Sequence, residues 1–189
     1  MQVLNKDEVN LNKDQIFHIL RTGTFVYPTD TIYGIGCDAT NQELVQKVRE
    51  IKNRPHQPFS IIAPNKNWIK THCVLTQEAE EWIEKLPGPY TLILKLKKES
   101  PVAQNVNLGM DTLGVRMPNH WIQNLVNEYG KPIITTSANA SGENFMTSLD
   151  DLTPQVKKEV PLIIYDGEIK GRPSTLVHLS EEKVTLQKR

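Results

Sequence analysis

Cysteine is scarce in this chain: Cys37 and Cys73 are its only two. Two thiols in no metal-ligand spacing argue against a disulfide framework or a structural zinc site, and point to free thiols in a reducing compartment. An excess of charge of either sign is also missing. Lys plus Arg and Asp plus Glu number 22 each, so the net charge is zero. Global charge therefore describes neither a nucleic-acid-wrapping protein nor a membrane-surface one, and any RNA contact needs a local patch. No apolar run approaches the length that spans a bilayer, and the N-terminal MQVLNKDEVN has no apolar signal region. The expectation is a cytoplasmic protein with no membrane partner. There is no repeat, low-complexity tract or linker. The 189 residues are enough to bury a core without disulfides, so a single domain over residues 1–189 is expected.

What is present is an alternation of short apolar runs and helical patterns. It predicts an α+β (α/β-like) fold, a sheet covered by helices. The strands are expected at 25–27, 59–63, 91–96, 113–117, 133–136, 162–165 and 176–179, with a last edge strand at 184–187. A helix is expected over 41–52, with Thr40 and Glu43 as a capping box and Leu44, Val45, Val48 and Ile51 on one face. Pro55 ends it. A second helix is expected over 76–86, stopped by Pro87-Gly88-Pro89. A third is expected to be capped by Asn119 and to end at Gly130.

The polar motifs all fall at the ends of these elements, where a rigid scaffold commonly carries function. Tyr27–Gly36 reads YPTDTIYGIG, which combines a fixed bend, three hydroxyl or carboxylate side chains in a row and two glycines. Lys52–Pro55 reads KNRP, two cations where a helix stops. Thr135–Asn139 reads TTSAN directly after an apolar strand, Arg116 lies inside GVRMP, and Ser174-Thr175 precedes a strand. Together they read as a polar anion pocket built from loops on a sheet. Each has a plainer alternative. Lys52 and Arg54 are also what a helix C-terminus favours. Arg116, in an apolar strand, fits a structural salt bridge or a phosphate or carboxylate partner equally well. Thr29, Asp30 and Thr31 can close a turn on themselves, and Ser137-Ala138-Asn139 can form an Asx-type turn.

Other chemistries find little support. Gly34–Ala39 formally matches G-x-G-x-x-A, but the PTDT bend follows the strand, and the position about twenty residues on is Phe59 rather than an acid. No G-x-x-x-x-G-K-[ST] loop and no G-x-S-x-G elbow occurs. The five histidines have no zinc spacing, so no metal-ligating residue is assigned.

Taken in order, YPTDTIYGIGCDA, KNRP, PGPYT, GVRMP, TTSANASG and PSTLV resemble the YrdC family, over about residues 23–179. The resemblance implies a mixed twisted central sheet flanked by helices, the YrdC-like fold, with a central cavity. It implies an L-threonylcarbamoyladenylate synthase, a nucleotidyltransferase condensing L-threonine, bicarbonate or CO2 and ATP (with Mg2+) to threonylcarbamoyl-AMP and pyrophosphate. A partner transferase complex would then modify the tRNA adenosine beside the anticodon. By resemblance, Lys52 and Arg54 face the triphosphate and carboxylate groups as catalytic and nucleotide-binding residues. Thr29, Thr31 and Arg116 contact threonine or the intermediate, while Ser137, Asn139 and Ser174 lie with the nucleotide. The amine of threonine is itself the nucleophile, which fits a site of cations, hydroxyls and amides with no triad. Small departures stand at Asp30, where many relatives carry Glu, at Trp121 after His120, and in GRPSTLV. The chain resembles the short form of the family, without a C-terminal extension. Two alternatives remain at this point. One is a double-stranded RNA or tRNA module without chemistry, using a patch of Arg49, Lys52, Arg54, Lys66 and Lys70. The other is adenylation of a different carbamate, as in YrdC-like domains of hydrogenase maturation proteins.

Overall fold

The apolar triplets Phe25-Val26-Tyr27 and Leu162-Ile163-Ile164 show no polar alternation because both of their faces are covered. In the computed structural model, which describes residues 1–181 and 183–188, Phe25, Tyr27, Leu162 and Ile164 pack into one apolar cluster, and Val26 and Ile163 into another. The chain runs through β1 (Gln2–Leu4), α1 (Lys6–Leu11), α2 (Lys13–Thr22), β2 (Phe25–Tyr27), β3 (Gly34–Gly36), α3 (Gln42–Lys52), β4 (Ser60–Ile62), α4 (Lys66–His72) and α5 (Gln77–Glu84). It continues with β5 (Tyr90–Lys95), α6 (Gln104–Asn107), β6 (Thr112–Arg116), α7 (Ile122–Tyr129), β7 (Ile133–Ser137), α8 (Pro154–Glu159), β8 (Leu162–Ile164), β9 (Thr175–His178) and β10 (Thr185–Gln187). Among the described residues, the strands form one ten-stranded mixed sheet in the order β1-β8-β2-β3-β7-β4-β6-β5-β9-β10.

The expected strands are all present, each end within one residue of its expected place. Seven elements had no clear signal: β1, α1, α2, β3, α4, α6 and α8. An exposed edge strand such as β1 carries little apolar signal. Strand β3 is Gly-Ile-Gly, a poor strand sequence by propensity. Its glycines are demanded by packing, because a Cβ on Gly36 would lie 2.1 Å from the Ile134 carbonyl oxygen. The Tyr27 ring lies against Gly34, and its hydroxyl donates to the Ile134 carbonyl at 2.8 Å.

Two expected caps are corrected. Asn41, not Thr40, caps α3: its side-chain oxygen accepts from the N–H groups of Glu43 and Leu44, both at 3.1 Å. Thr40 instead donates its hydroxyl to buried Asp38. Asn119 does not cap α7, which begins three residues later; the Asn119 N–H donates to Asp30 Oδ2 at 2.9 Å. The end of α3 is as expected, with Asn53 in the left-handed region (φ 47°) and Pro55 beyond it.

Strand β7 joins the two halves of the sheet. It pairs antiparallel with β3 through Gly34–Ser137 and with β4 through Ser60–Thr135. Its last residues therefore lie where the 29–32 turn, the end of α3 and the 171–174 segment converge.

Candidate active site

At this convergence lies a cavity of about 150 Å³, lined by Thr29, Tyr33, Arg54, Phe59, Ser60, Thr91, Arg116, Thr135, Thr136, Ser137, Phe145 and Ser174 among others. Hydroxyls and two guanidiniums dominate its polar wall.

Arg54 has much the lighter protein engagement of these two cations. Its Nη1 reaches the Thr136 hydroxyl at 3.4 Å, a long contact, and its Nε is buried with no protein partner. Among the described residues it makes no ion pair. Burial pulls its pKa below the ordinary arginine value. A desolvated cation with free donors facing a cavity is a receptor for an anion.

Arg116 satisfies both readings of its sequence context. Its Nη2 donates to Asp30 Oδ1 at 2.6 Å, and both Nη atoms reach the Thr31 hydroxyl at 3.3 Å. It also lines the cavity, and its Nε is buried without a protein partner. The 29–32 turn is closed on itself, as a threonine cluster allows. The Thr29 hydroxyl donates to the Ile32 carbonyl and accepts from the N–H groups of Thr31 and Ile32. Thr29 lines the cavity; Thr31 stands behind it, between Thr29 and Arg116. Ser174 comes from the opposite wall and shares a hydrogen bond with Thr91 at 2.7 Å. The segment leading to it presses on the threonine turn, since a Cβ on Gly171 would lie 1.7 Å from the Thr31 carbonyl oxygen.

Lys52 sits deeper than KNRP implied. It is 2% exposed and is not among the residues lining the cavity. Its ammonium donates to the carbonyl oxygens of Ser137 and Asn139, both at 2.6 Å, and reaches Asn139 Oδ1 at 3.0 Å and Ser137 Oγ at 3.3 Å. Burial, followed by the neighbouring Arg54 charge, pulls its pKa down to about 7, and the Glu143 carboxylate works the other way. Asn139 completes the loop by donating its amide to the Glu143 carbonyl at 2.6 Å. Lys52 and Asn139 thus hold the loop, and Ser137 is the member of the three that faces the cavity.

The basic patch that the RNA-module alternative would use is not assembled as one open surface. Arg49 and Lys52 are buried, and Lys66 and Lys70 both reach the Glu84 carboxylate, at 2.8 and 3.3 Å. Residues that sequence reasoning did not single out as cavity walls include Ser60, Tyr33 and Phe145. Ser60 lies inside an apolar run and carries no local signal; its place opposite Gly114 and Thr135 is set by pairing across the sheet.

A single mixed sheet covered by helices is the fold this chain shares with solved structures. The Sua5/YciO/YrdC family, described as telomere recombination, matches residues 18–189, and the chain belongs to it. A Methanocaldococcus jannaschii protein, named provisionally as a threonylcarbamoyl-AMP synthase, is 35% identical over 88% of this chain and 79% of its own length. The threonylcarbamoyl-AMP synthase of Vibrio vulnificus strain YJ016 is 30% identical over 93% of this chain and 98% of its own. Among solved structures, P. abyssi Sua5 complexed with L-threonine superposes with a TM-score of 0.84 at 28% identity, covering 98% of this chain. The chain spans 56% of the length of that Sua5. E. coli YciO, with a TM-score of 0.86 at 24% identity, shares the fold.

Proposed function

We propose that this protein is an L-threonylcarbamoyladenylate synthase. The observation that carries the reading is Arg54, a desolvated guanidinium aimed into a hydroxyl-lined cavity with its donors largely uncommitted to protein. The family and the named relatives support it. The enclosed volume is smaller than the roughly 300–1,000 Å³ of drug-sized ligand pockets. It suits an amino-acid-sized group, with the nucleotide lying toward the mouth.

In this reading the threonine amine forms a C–N bond to CO2, supplied by bicarbonate, and loses a proton. A carbamate oxygen then forms a bond to the α-phosphorus of ATP. The bond from that phosphorus to the bridging oxygen breaks, and its electron pair leaves with pyrophosphate. No protein nucleophile is needed, so the protein contributes orientation and charge. Arg54 offers a two-pronged contact to phosphate or carboxylate oxygens. Arg116, held by Asp30 and Thr31, still has donors to offer the substrate, and the hydroxyls of Thr29, Ser137 and Ser174 orient it. Mg2+ would arrive on the phosphates of ATP as part of the substrate and offset their charge. The product is then passed to a transferase complex acting on tRNA. A cytoplasmic location fits those partners; among the described residues no helix is long and apolar enough to cross a membrane.

Purified protein given threonine, bicarbonate, ATP and Mg2+ is expected to release pyrophosphate, and omission of either threonine or bicarbonate is expected to stop it. Release that ignores both would sink the reading.

A further inference from the structure

Two guanidiniums lie against the same Phe59 ring, with Cζ 4.5 Å (Arg49) and 5.6 Å (Arg54) from its centroid. They are used in opposite ways. Arginine has five N–H donors. Arg49, 4% exposed, makes five contacts, all to main-chain carbonyls. Its Nε donates to Asn105 at 3.0 Å, Nη1 to Arg54 at 2.9 Å and Gln57 at 2.8 Å, and Nη2 to Asn105 and to Val106 at 3.2 Å. Arg49 therefore has no donor left for a ligand. The backbone of residue 54 is held at both ends by residue 49, because the Arg54 N–H also donates to the Arg49 carbonyl at 3.0 Å.

We infer that Arg49 is a positioning residue for the anion site: it clamps the 54–57 segment to the 105–106 segment and so fixes where the Arg54 guanidinium enters the cavity. The inference rests on the proposed role of Arg54 as an anion receptor. The clamp has reason to exist, because Arg54 follows a left-handed residue at a helix end and side-chain contacts do little to hold it. Two like charges close together also repel, which draws the Arg49 pKa down after the larger effect of burial. Neutral carbonyl acceptors, with their negative ends on Arg49, allow the second cation to remain beside it. Lysine at position 49 keeps the charge but has three donors from one atom, and cannot serve four carbonyls on the two segments.

The test is a double-mutant cycle read by calorimetric binding of inorganic tripolyphosphate, which needs no turnover. Arg49→Lys and Arg54→Lys are each expected to weaken binding by about tenfold, as for loss of a charge-assisted contact. The double variant is expected to bind no more weakly than Arg54→Lys alone, because a misplaced Arg54 and a missing one are equivalent. Independent, multiplying losses would contradict the clamp, as would a fall in Tm for Arg49→Lys with binding intact. Should Arg49→Lys not fold, the wild type supplies the answer through its arginine Nε–H resonances. That of Arg49 is expected to exchange slowly with water and stay fixed on adding tripolyphosphate, while that of Arg54 shifts; comparable shifts in both would place Arg49 on the ligand and end the inference. A wild type that binds tripolyphosphate with the expected coupling but makes no pyrophosphate from ATP defeats the synthase reading alone. One that makes pyrophosphate without the coupling defeats this inference alone. One that binds no tripolyphosphate defeats the anion receptor and the clamp together.

Discussion

Lys52→Met is expected to abolish most turnover and to lower the melting temperature. Methionine fills the aliphatic path of the side chain but takes the 2.6 Å ammonium contact from both the Ser137 and Asn139 carbonyls; Ser137 keeps the Asn139 N–H at 2.9 Å, and the Asn139 carbonyl is left without a donor. A buried acceptor deprived of its partner costs about 1–3 kcal/mol. One orphaned acceptor and one weakened neighbour put the loss on the order of 1–4 kcal/mol, or roughly 2–16 °C in a chain of this size. The loop can recover part of this only by moving its carbonyls toward water, which carries Ser137 away from the cavity. A displacement of about 1 Å at a positioned group can cost on the order of a hundredfold in rate. Pyrophosphate release below about one hundredth of the wild-type rate, measured well under the variant's melting temperature, is the expected result. A variant that loses stability but keeps its rate would show that the loop is held by other means.

Arg54→Lys separates function from helix capping. A cation after α3 is worth about 0.3–1 kcal/mol to a helix end, and lysine preserves it. The Arg54 side chain, however, goes to Thr136 and the cavity, while the last turn of α3 is closed by the main chain of Asn53. Lysine cannot reproduce a planar two-pronged contact. Losing a charge-assisted hydrogen bond in a water-poor site costs on the order of 1.5–3 kcal/mol, about tenfold to a hundredfold in rate. Stability is expected to stay within about 0.5 kcal/mol, as for a change that breaks no core contact. Normal turnover by this variant would remove Arg54 from the site.

K-x-R shows how far the sequence could be read. The two cations are visible in the chain, and so is the helix end between them. What the chain does not display is that Asn53, at φ 47°, turns the backbone so that Lys52 points under the Ser137–Asn139 loop and Arg54 into the cavity. Their partners lie more than eighty residues away and come into reach only through the β3-β7-β4 pairings. Arg116 was ambiguous in sequence because the two readings do not exclude each other: part of its guanidinium holds Asp30 and part faces the cavity. Strands with covered faces were legible from their apolar runs. The Gly-Ile-Gly strand was not, because its glycines answer to Tyr27 and to the Ile134 carbonyl rather than to strand propensity. The cationic residues that suggested an RNA surface were legible as charges only; burial and Glu84 occupy four of the five.

The most direct measurement follows the carbon. With 13C-bicarbonate, threonine, ATP and Mg2+, mass spectrometry of the quenched reaction is expected to show threonylcarbamoyl-AMP one mass unit heavier than the unlabelled product, formed in step with pyrophosphate. Pyrophosphate accompanied by AMP alone, or an adenylate of threonine that carries no label, would contradict the account.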